Sequence, residues 1–205
     1  STGVGKSIQQ SVAQTLVRTQ LELGGKNPAV IMEDADLDKA ADAVATAAYA
    51  CAGQWCTSTS RAIVVREVAE AFNAKLLERV KATRVGDGRG DVDMGPVCGS
   101  DQLESIMGYI NIGQGEGATL AAGGNRLTAD GMDQGCFIEP TVFTDVQPEM
   151  RIAQEEIFGP VLSVLVADNF DEALELANRV EFGLSSSIFT KDISRAFQFL
   201  EKTEV

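Results

Sequence analysis

Two side chains in this chain of 205 residues could do chemistry together. Cys56 lies in Ala52-Gly53-Gln54-Trp55-Cys56-Thr57-Ser58-Thr59-Ser60-Arg61, after a glycine turn and ahead of a hydroxyl-rich run. A cysteine becomes a nucleophile as its thiolate, so it needs a base, a cation, backbone amides or a helix end to draw off the proton. Glu22 lies 34 positions earlier, in Leu21-Glu22-Leu23-Gly24-Gly25-Lys26-Asn27-Pro28, between two leucines. Apolar neighbours disfavour the charged carboxylate and raise its pKa towards neutrality, which suits a general base for a thiol or a water. The other reading of Glu22 is a strand-end glutamate facing solvent. A third stretch, Gln154-Glu155-Glu156-Ile157-Phe158-Gly159-Pro160-Val161, leads into an apolar run. By residue type alone, Glu156 there is an ordinary charge before a strand and Phe158 a core residue.

The chain contains no histidine. That removes Ser-His-Asp and Cys-His catalysis, His-ligated zinc or haem, and imidazole acid–base chemistry. The cysteines Cys51, Cys56, Cys98 and Cys136 match neither a zinc pattern nor a dense disulfide framework. No metal is expected, and free thiols in a reducing cytosol are the simplest account. Cys51 falls in an alanine-rich helical stretch, so core packing is its better reading.

The net charge of −13 argues against nucleic acid or an anionic membrane as a partner held by bulk charge. No apolar run approaches the roughly 18–20 residues of a membrane span, and no signal peptide opens the chain. These features fit a cytoplasmic location. At 44% hydrophobic residues the chain can bury a sizeable core.

The elements that would position the candidate residues alternate. Ser1 or Thr2 can cap an opening helix with apolar positions Ile8, Val12 and Leu16, running to about residue 17. An apolar strand at 29–32 is followed by an alanine-rich helix capped by Asp36 and reaching about Cys51. Gly53 ends it just before Cys56. A β-branched strand at 61–65, a helix at 67–81, a turn-rich loop at 86–99, a helix at 100–116 and a strand at 118–122 follow. A polar loop precedes an extended stretch at 137–143, which Pro140 places at a sheet edge. A fully apolar strand at 161–167, a helix at 171–179, a strand at 185–189 and a helix at 193–202 complete the pattern. Strands that are apolar throughout and alternate with helices imply an α/β fold with a mostly parallel sheet covered on both faces. The opening Gly3-Val4-Gly5-Lys6-Ser7 has the tail of a P-loop. A full P-loop needs an earlier glycine and a preceding strand, and the chain shows neither.

Glu22-Leu23-Gly24-Gly25-Lys26-Asn27-Pro28, Gly53-Gln54-x-Cys56-Thr57 and Glu156-Ile157-Phe158-Gly159-Pro160-Val161, in that order, resemble the signatures of the aldehyde dehydrogenase superfamily. The similarity runs over essentially all of the chain. The resemblance implies a twisted, mostly parallel sheet flanked by helices, Rossmann-like, in a catalytic domain. Residues 1–17 would be the last helix of a cofactor-binding domain, and 18–205 the catalytic domain, both ends being truncated. It implies oxidation of an aldehyde to its acid with NAD or NADP. Cys56 would attack the aldehyde, giving a thiohemiacetal and, after hydride leaves for the nicotinamide, a thioester. Glu22 would activate the hydrolytic water, and the backbone N–H of Cys56 would donate to the oxyanion.

For the cofactor the resemblance assigns Glu156 to the nicotinamide ribose hydroxyls and Phe158 to the nicotinamide ring. Leu23 and Gly24 would meet the carboxamide through their backbone. Ser1 matches the serine of the turn that opens the pyrophosphate-binding helix. The run after Cys56 looks like that of dehydrogenases for dicarboxylic semialdehydes, such as the α-ketoglutaric semialdehyde type. Arg61 or the hydroxyls would then favour an anionic aldehyde; otherwise Arg61 begins a strand and pairs with an acid. Trp55 would wall the aldehyde tunnel or pack in the core. A homodimer or homotetramer is implied for the full-length protein, and the chain alone is expected not to turn over aldehyde. A relative that passes the thioester to coenzyme A is disfavoured by Glu22. The alternative from another class is a non-catalytic binding or structural module that retains the fold.

Overall fold

The computed structural model describes residues Ser1–Glu204. Its elements run α1 (Thr2–Val12), β1 (Asn27–Ile31), α2 (Leu37–Tyr49), a 3-10 turn (Ala50–Gly53), β2 (Thr59–Val65), α3 (Arg66–Ala82), α4 (Ser100–Gly115), β3 (Thr119–Ala122), β4 (Thr141–Thr144), α5 (Arg151–Gln154), β5 (Val161–Ala167), α6 (Phe170–Asn178), β6 (Ser187–Phe189) and α7 (Ile193–Lys202). The six strands form one sheet in the order β3-β4-β5-β2-β1-β6, parallel throughout except for the antiparallel pair β3 and β4.

The apolar runs explain the layering. Every residue of β1, the last five of β2 and all but one of β5 are buried, which requires cover on both faces of the sheet. Helices α2 and α3, packed on each other, and helix α6 supply that cover. The core runs through Val30, Ile63, Leu162 and Phe143, with Phe72 and Leu76 of α3 packed beneath. Asp36 caps α2 as its composition predicts, its carboxylate accepting from Lys39 N–H at 3.2 Å. The strand at 161–167 and the helix at 193–202 have the predicted bounds.

The structure corrects several local expectations. Helix α1 stops at Val12, short of residue 17, and Leu16 beyond it takes a left-handed backbone with φ 54°. Pro140 does not mark an edge. It stands just outside β4, which lies inside the sheet between β3 and β5, and Pro160 O takes the hydrogen bond from Thr141 N–H. The proline that does sit within a strand is Pro28, in interior strand β1, where a register shift between Asn27 and Pro28 absorbs its missing N–H. Cys51 is not in the core. Helix α2 ends at Tyr49, and Cys51 follows in the left-handed region, exposed. Among the described residues no helix is long and apolar enough to cross a membrane.

Candidate active site

Strands β5, β2 and β1 are neighbours, and each is immediately preceded by one of the three motif stretches. Because the strands are parallel, those preceding segments share one end of the sheet. The register fixes this: Asn27 pairs with Thr59, and Arg61 with Ser163. Segments separated by more than a hundred residues thus meet at the amino-terminal rim of three adjacent strands. This is the opposite end from the carboxyl rim where open α/β sheets usually bind their ligands.

The segments interlock through backbone. A Cβ on Gly25 would collide with Cys56 O, so the first motif touches the second where only a glycine fits. Gly25 N–H donates to Glu156 Oε1 at 3.0 Å, joining the first motif to the third. Gly53 has φ 68°, and a Cβ there would run into Gly159 O, joining the second to the third. A cleft of about 20 Å³ lies among Gly25, Trp55, Ser58, Ser60, Glu156 and Phe158. The larger open depression of about 420 Å³ on α2 and α3, beside Tyr49 and Arg79, contains no motif residue.

Other side chains hold these loops. Asn27 Nδ2 donates to Cys56 O and to Ser58 O, both at 2.8 Å, so the first residue of β1 grips the segment carrying the thiol. Gln102 of α4 donates from Nε2 to Ile157 O at 3.0 Å and Phe158 O at 2.9 Å, fixing Phe158 in a left-handed backbone with φ 53°. Ahead of Gly53, Cys51 and Ala52 are also left-handed, with φ 52° and 57°. Non-glycine residues there are strained by roughly 1–3 kcal/mol each, and such strain clusters at functional sites. The lead into β1 offered one sequence clue to these holders: two polar residues, Lys26 and Asn27, between a Gly-Gly turn and an apolar run. Nothing in the sequence marks Gln102.

Arg61 requires a correction. It does not face an aldehyde and does not pair with an acid. It is 1% exposed, and its guanidinium donates to Lys26 O at 2.9 Å, Leu176 O at 2.7 Å and Ala177 O at 2.8 Å. Two of these are carbonyls from the last turn of α6, which have no partner within the helix and carry its negative dipole end. Arg61 therefore braces α6 to the first motif, and burial lowers its pKa to about 10. Lys26 is buried beside it with Nζ free of any hydrogen bond. Burial first, and then the Arg61 charge, bring Lys26 down to about 7, against the opposing pull of Glu156 and Glu155.

The candidate catalytic pair is placed unevenly. Cys56 is half-buried within the crossing. Glu22 is exposed, so the desolvation expected from its leucine neighbours is absent. Its Oε1 accepts from Gln20 Nε2 at 3.2 Å, and among the described residues no hydrogen bond joins it to Cys56. Leu23 packs instead against Gly5 of α1, which brings that helix beside the first motif; Ser1 stands at its N-cap position, but its side chain makes no capping hydrogen bond. A Cβ on Gly24 would fall on the Glu156 carboxylate, so that group lies folded onto the Gly24–Gly25 turn. Phe158 and Trp55 are 38% and 54% exposed, so neither is a core residue. A half-buried carboxylate against a bare glycine turn, with an exposed aromatic two residues on, suits a ligand rich in hydroxyls and carrying a flat ring. The nicotinamide riboside end of a dinucleotide fits that description.

Known proteins resemble this chain in sequence and in fold. The model of the aldehyde dehydrogenase family matches residues 1–205. The chain is 45% identical over 205 residues to an alpha-ketoglutaric semialdehyde dehydrogenase of Bacillus subtilis, covering all of this chain and 42% of the relative. It is 45% identical over 204 residues to an alpha-ketoglutarate semialdehyde dehydrogenase of Haloferax volcanii, again spanning 42% of that protein. Among solved structures it resembles the betaine aldehyde dehydrogenase of Staphylococcus aureus in complex with NAD+. There the TM-score is 0.96 at 39% identity, covering 99% of this chain and 41% of the other. An NAD-dependent aldehyde dehydrogenase from Sinorhizobium meliloti gives a TM-score of 0.95 at 39% identity, over 99% and 40% of the two chains. The chain thus spans about two fifths of the length of the relatives it matches.

Proposed function

The chain belongs to the aldehyde dehydrogenase family, and on that premise we propose that it carries the nucleophile and part of the cofactor site for NAD(P)-dependent oxidation of an aldehyde to its carboxylic acid. The carrying observation is the meeting of three motif segments at one rim of the sheet, where the Gly25 backbone adjoins both Cys56 O and the Glu156 carboxylate. In this reading residues 1–17 belong to a cofactor-binding domain and residues 18–205 to the catalytic domain.

Cys56 Sγ attacks the aldehyde carbon, and the oxygen becomes an oxyanion that the Cys56 backbone N–H steadies. A cofactor held there would supply a two-electron oxidation as hydride acceptor. Cys56 would then hold the acyl group as a thioester. Glu22 takes a proton from water, which attacks the thioester carbon and releases acid and free thiol. Glu156 would hold the ribose hydroxyls, Phe158 would flank the nicotinamide, and the Leu23 and Gly24 backbone would meet its carboxamide. Ser1, at the start of α1, would meet the pyrophosphate. NAD is the favoured cofactor, on the strength of the NAD+ complex of the Staphylococcus relative.

The substrate proposed is a dicarboxylic semialdehyde, supported by the names of the two relatives at 45% identity. Its distal carboxylate is met by a group other than Arg61, which is buried and has each of its three side-chain nitrogens bonded to a backbone carbonyl. Turnover is assigned to a protein of the relatives' length, and these 205 residues alone are expected to be inactive. An aldehyde panel on a protein of that length, run with NAD and with NADP, tests the reading. Dicarboxylic semialdehydes should give the highest kcat/KM, and Cys56→Ser should abolish NADH formation. NADH formation that survives Cys56→Ser would contradict it.

A further inference from the structure

Asn27 is 4% exposed, and its side chain works where the sheet runs short of backbone donors. The pairing of β1 with β2 passes from Asn27 opposite Thr59 to Pro28 opposite Arg61, so Ser60 is skipped and the register shifts. Pro28 has no N–H to give. An extra residue of this kind bends its strand and re-aims what lies beside it. What lies beside it here is the turn that carries Cys56.

That turn is closed by Ser58 N–H, which donates to Trp55 O at 3.0 Å. Asn27 Nδ2 donates to Cys56 O and to Ser58 O, both at 2.8 Å. The carbonyls of Trp55, Cys56 and Ser58 are thus all engaged around the thiol-bearing residue. The other end of the carboxamide, Oδ1, is buried without a partner. Reversing the carboxamide would set that oxygen against two carbonyl oxygens, so the group is ordered by its donors alone. A Cβ on Gly25 would meet Cys56 O and both ends of the Asn27 carboxamide. The bare glycine is what lets the clamp reach the turn.

We infer that Asn27 is a positioning residue for the Cys56 thiol, a role that rests on Cys56 being the nucleophile of the proposed oxidation. Without the clamp, two carbonyl oxygens of the nucleophile's own turn keep their negative partial charge bare, and the turn loses its side-chain tie to β1. With it, both oxygens are engaged, so a thiolate in this turn meets less opposing charge and is held in one place. Asn27 acts through the backbone of Cys56 rather than on the reacting atoms.

The test follows iodoacetamide labelling of each cysteine in the reduced 205-residue chain from about pH 6 to pH 10, in the parent, Asn27→Ala and Phe72→Leu. Phe72 is fully buried in α3, so its variant loosens the core without removing a bond from the turn. In Asn27→Ala the pH midpoint of Cys56 labelling should rise by about one unit, which is about a tenfold loss of rate near neutral pH. Cys51 and Cys98 should keep their rates, and Phe72→Leu should leave the Cys56 midpoint where it is. An unmoved midpoint in Asn27→Ala, or an equal shift in Phe72→Leu, overturns the proposal and leaves Cys56 as the nucleophile. A parent chain in which Cys56 labels no faster than Cys98 defeats the nucleophile reading, and this proposal with it. Asn27→Ser, whose hydroxyl is too short to span both carbonyls, is read by the same outcomes if the alanine variant does not fold.

Discussion

The body of the sheet and its amino-terminal rim are built by opposite rules. In the body, Val30, Ile63 and Leu165 are buried side by side on three neighbouring parallel strands. At the rim, a few residues away, Cys51, Ala52 and Phe158 are left-handed without being glycine. Four of the five buried side-chain atoms without a protein partner among the described residues also lie there: Lys26 Nζ, Asn27 Oδ1, Ser58 Oγ and Ser60 Oγ. Each such atom is destabilising by about 1–3 kcal/mol. The body supplies the stability that lets the rim hold a strained, under-satisfied crossing of three loops. Local violations gathered at one place are what a site looks like when function, not stability, shapes it.

Breaking the crossing itself should have the largest effect. Gly53→Val places a β-branched side chain at φ 68° and against Gly159 O, so both backbone strain and a backbone clash oppose folding. A loss of about 4 kcal/mol or more is expected, read as a collapsed urea midpoint or insoluble protein. A conservative change in the body, such as Ile63→Val, should lose only about 0.5–1.5 kcal/mol by the same measurement.

Arg61→Met comes next. It strips three buried carbonyls of their donor and unties α6 from the first motif. The expected loss is about 3 kcal/mol or more in chemical denaturation. If Arg61 instead served an anionic ligand, stability would change little.

Lys26→Met should act in the opposite sense. The Lys26 pKa falls from 10.5 in the unfolded chain to about 7 in the folded protein. Between those values the unfolded chain binds the proton that the folded protein has shed, so the Lys26 contribution to stability improves as pH rises. Below pH 7 the full penalty of a buried ammonium is present. Lys26→Met is therefore expected to be more stable than the parent at pH 6, by an amount on the order of a few kcal/mol that shrinks towards pH 10. Paired denaturation curves across that range would show it, and a constant difference would contradict it.

The smallest effect separates the two regions by sign. Ala52→Gly should stabilise by about 1 kcal/mol, because glycine tolerates φ 57° where alanine does not. Ala62→Gly, in the regular part of β2, should destabilise by about 0.5–1 kcal/mol. Thermal melts of the two variants make the comparison.

These contrasts also mark what was legible in the sequence. The body was readable because its signals are local: the apolar run of β5, the period of α7 and the Asp36 cap each act within a few residues. The three motifs were visible as stretches, and parallel pairing then placed them together. Arg61 was misread because its partners are backbone carbonyls 115 and 116 positions away, which leave no mark in side-chain chemistry. Glu22 was expected to be desolvated by its leucines, but Leu23 packs on Gly5 and Leu21 remains partly exposed, so neither covers the carboxylate. Cys51 was placed in a helix because alanine-rich sequence gives no sign of a left-handed break between Tyr49 and Gly53.

The central claim is that the crossing makes Cys56 the reactive thiol, and a time course of iodoacetamide labelling on the reduced native chain tests it directly. Cys56 should be carboxamidomethylated ahead of Cys51 and Cys98, although both of those are more exposed. If labelling instead follows exposure, with Cys51 and Cys98 modified first and Cys56 trailing, the rim does not activate its cysteine and the account fails.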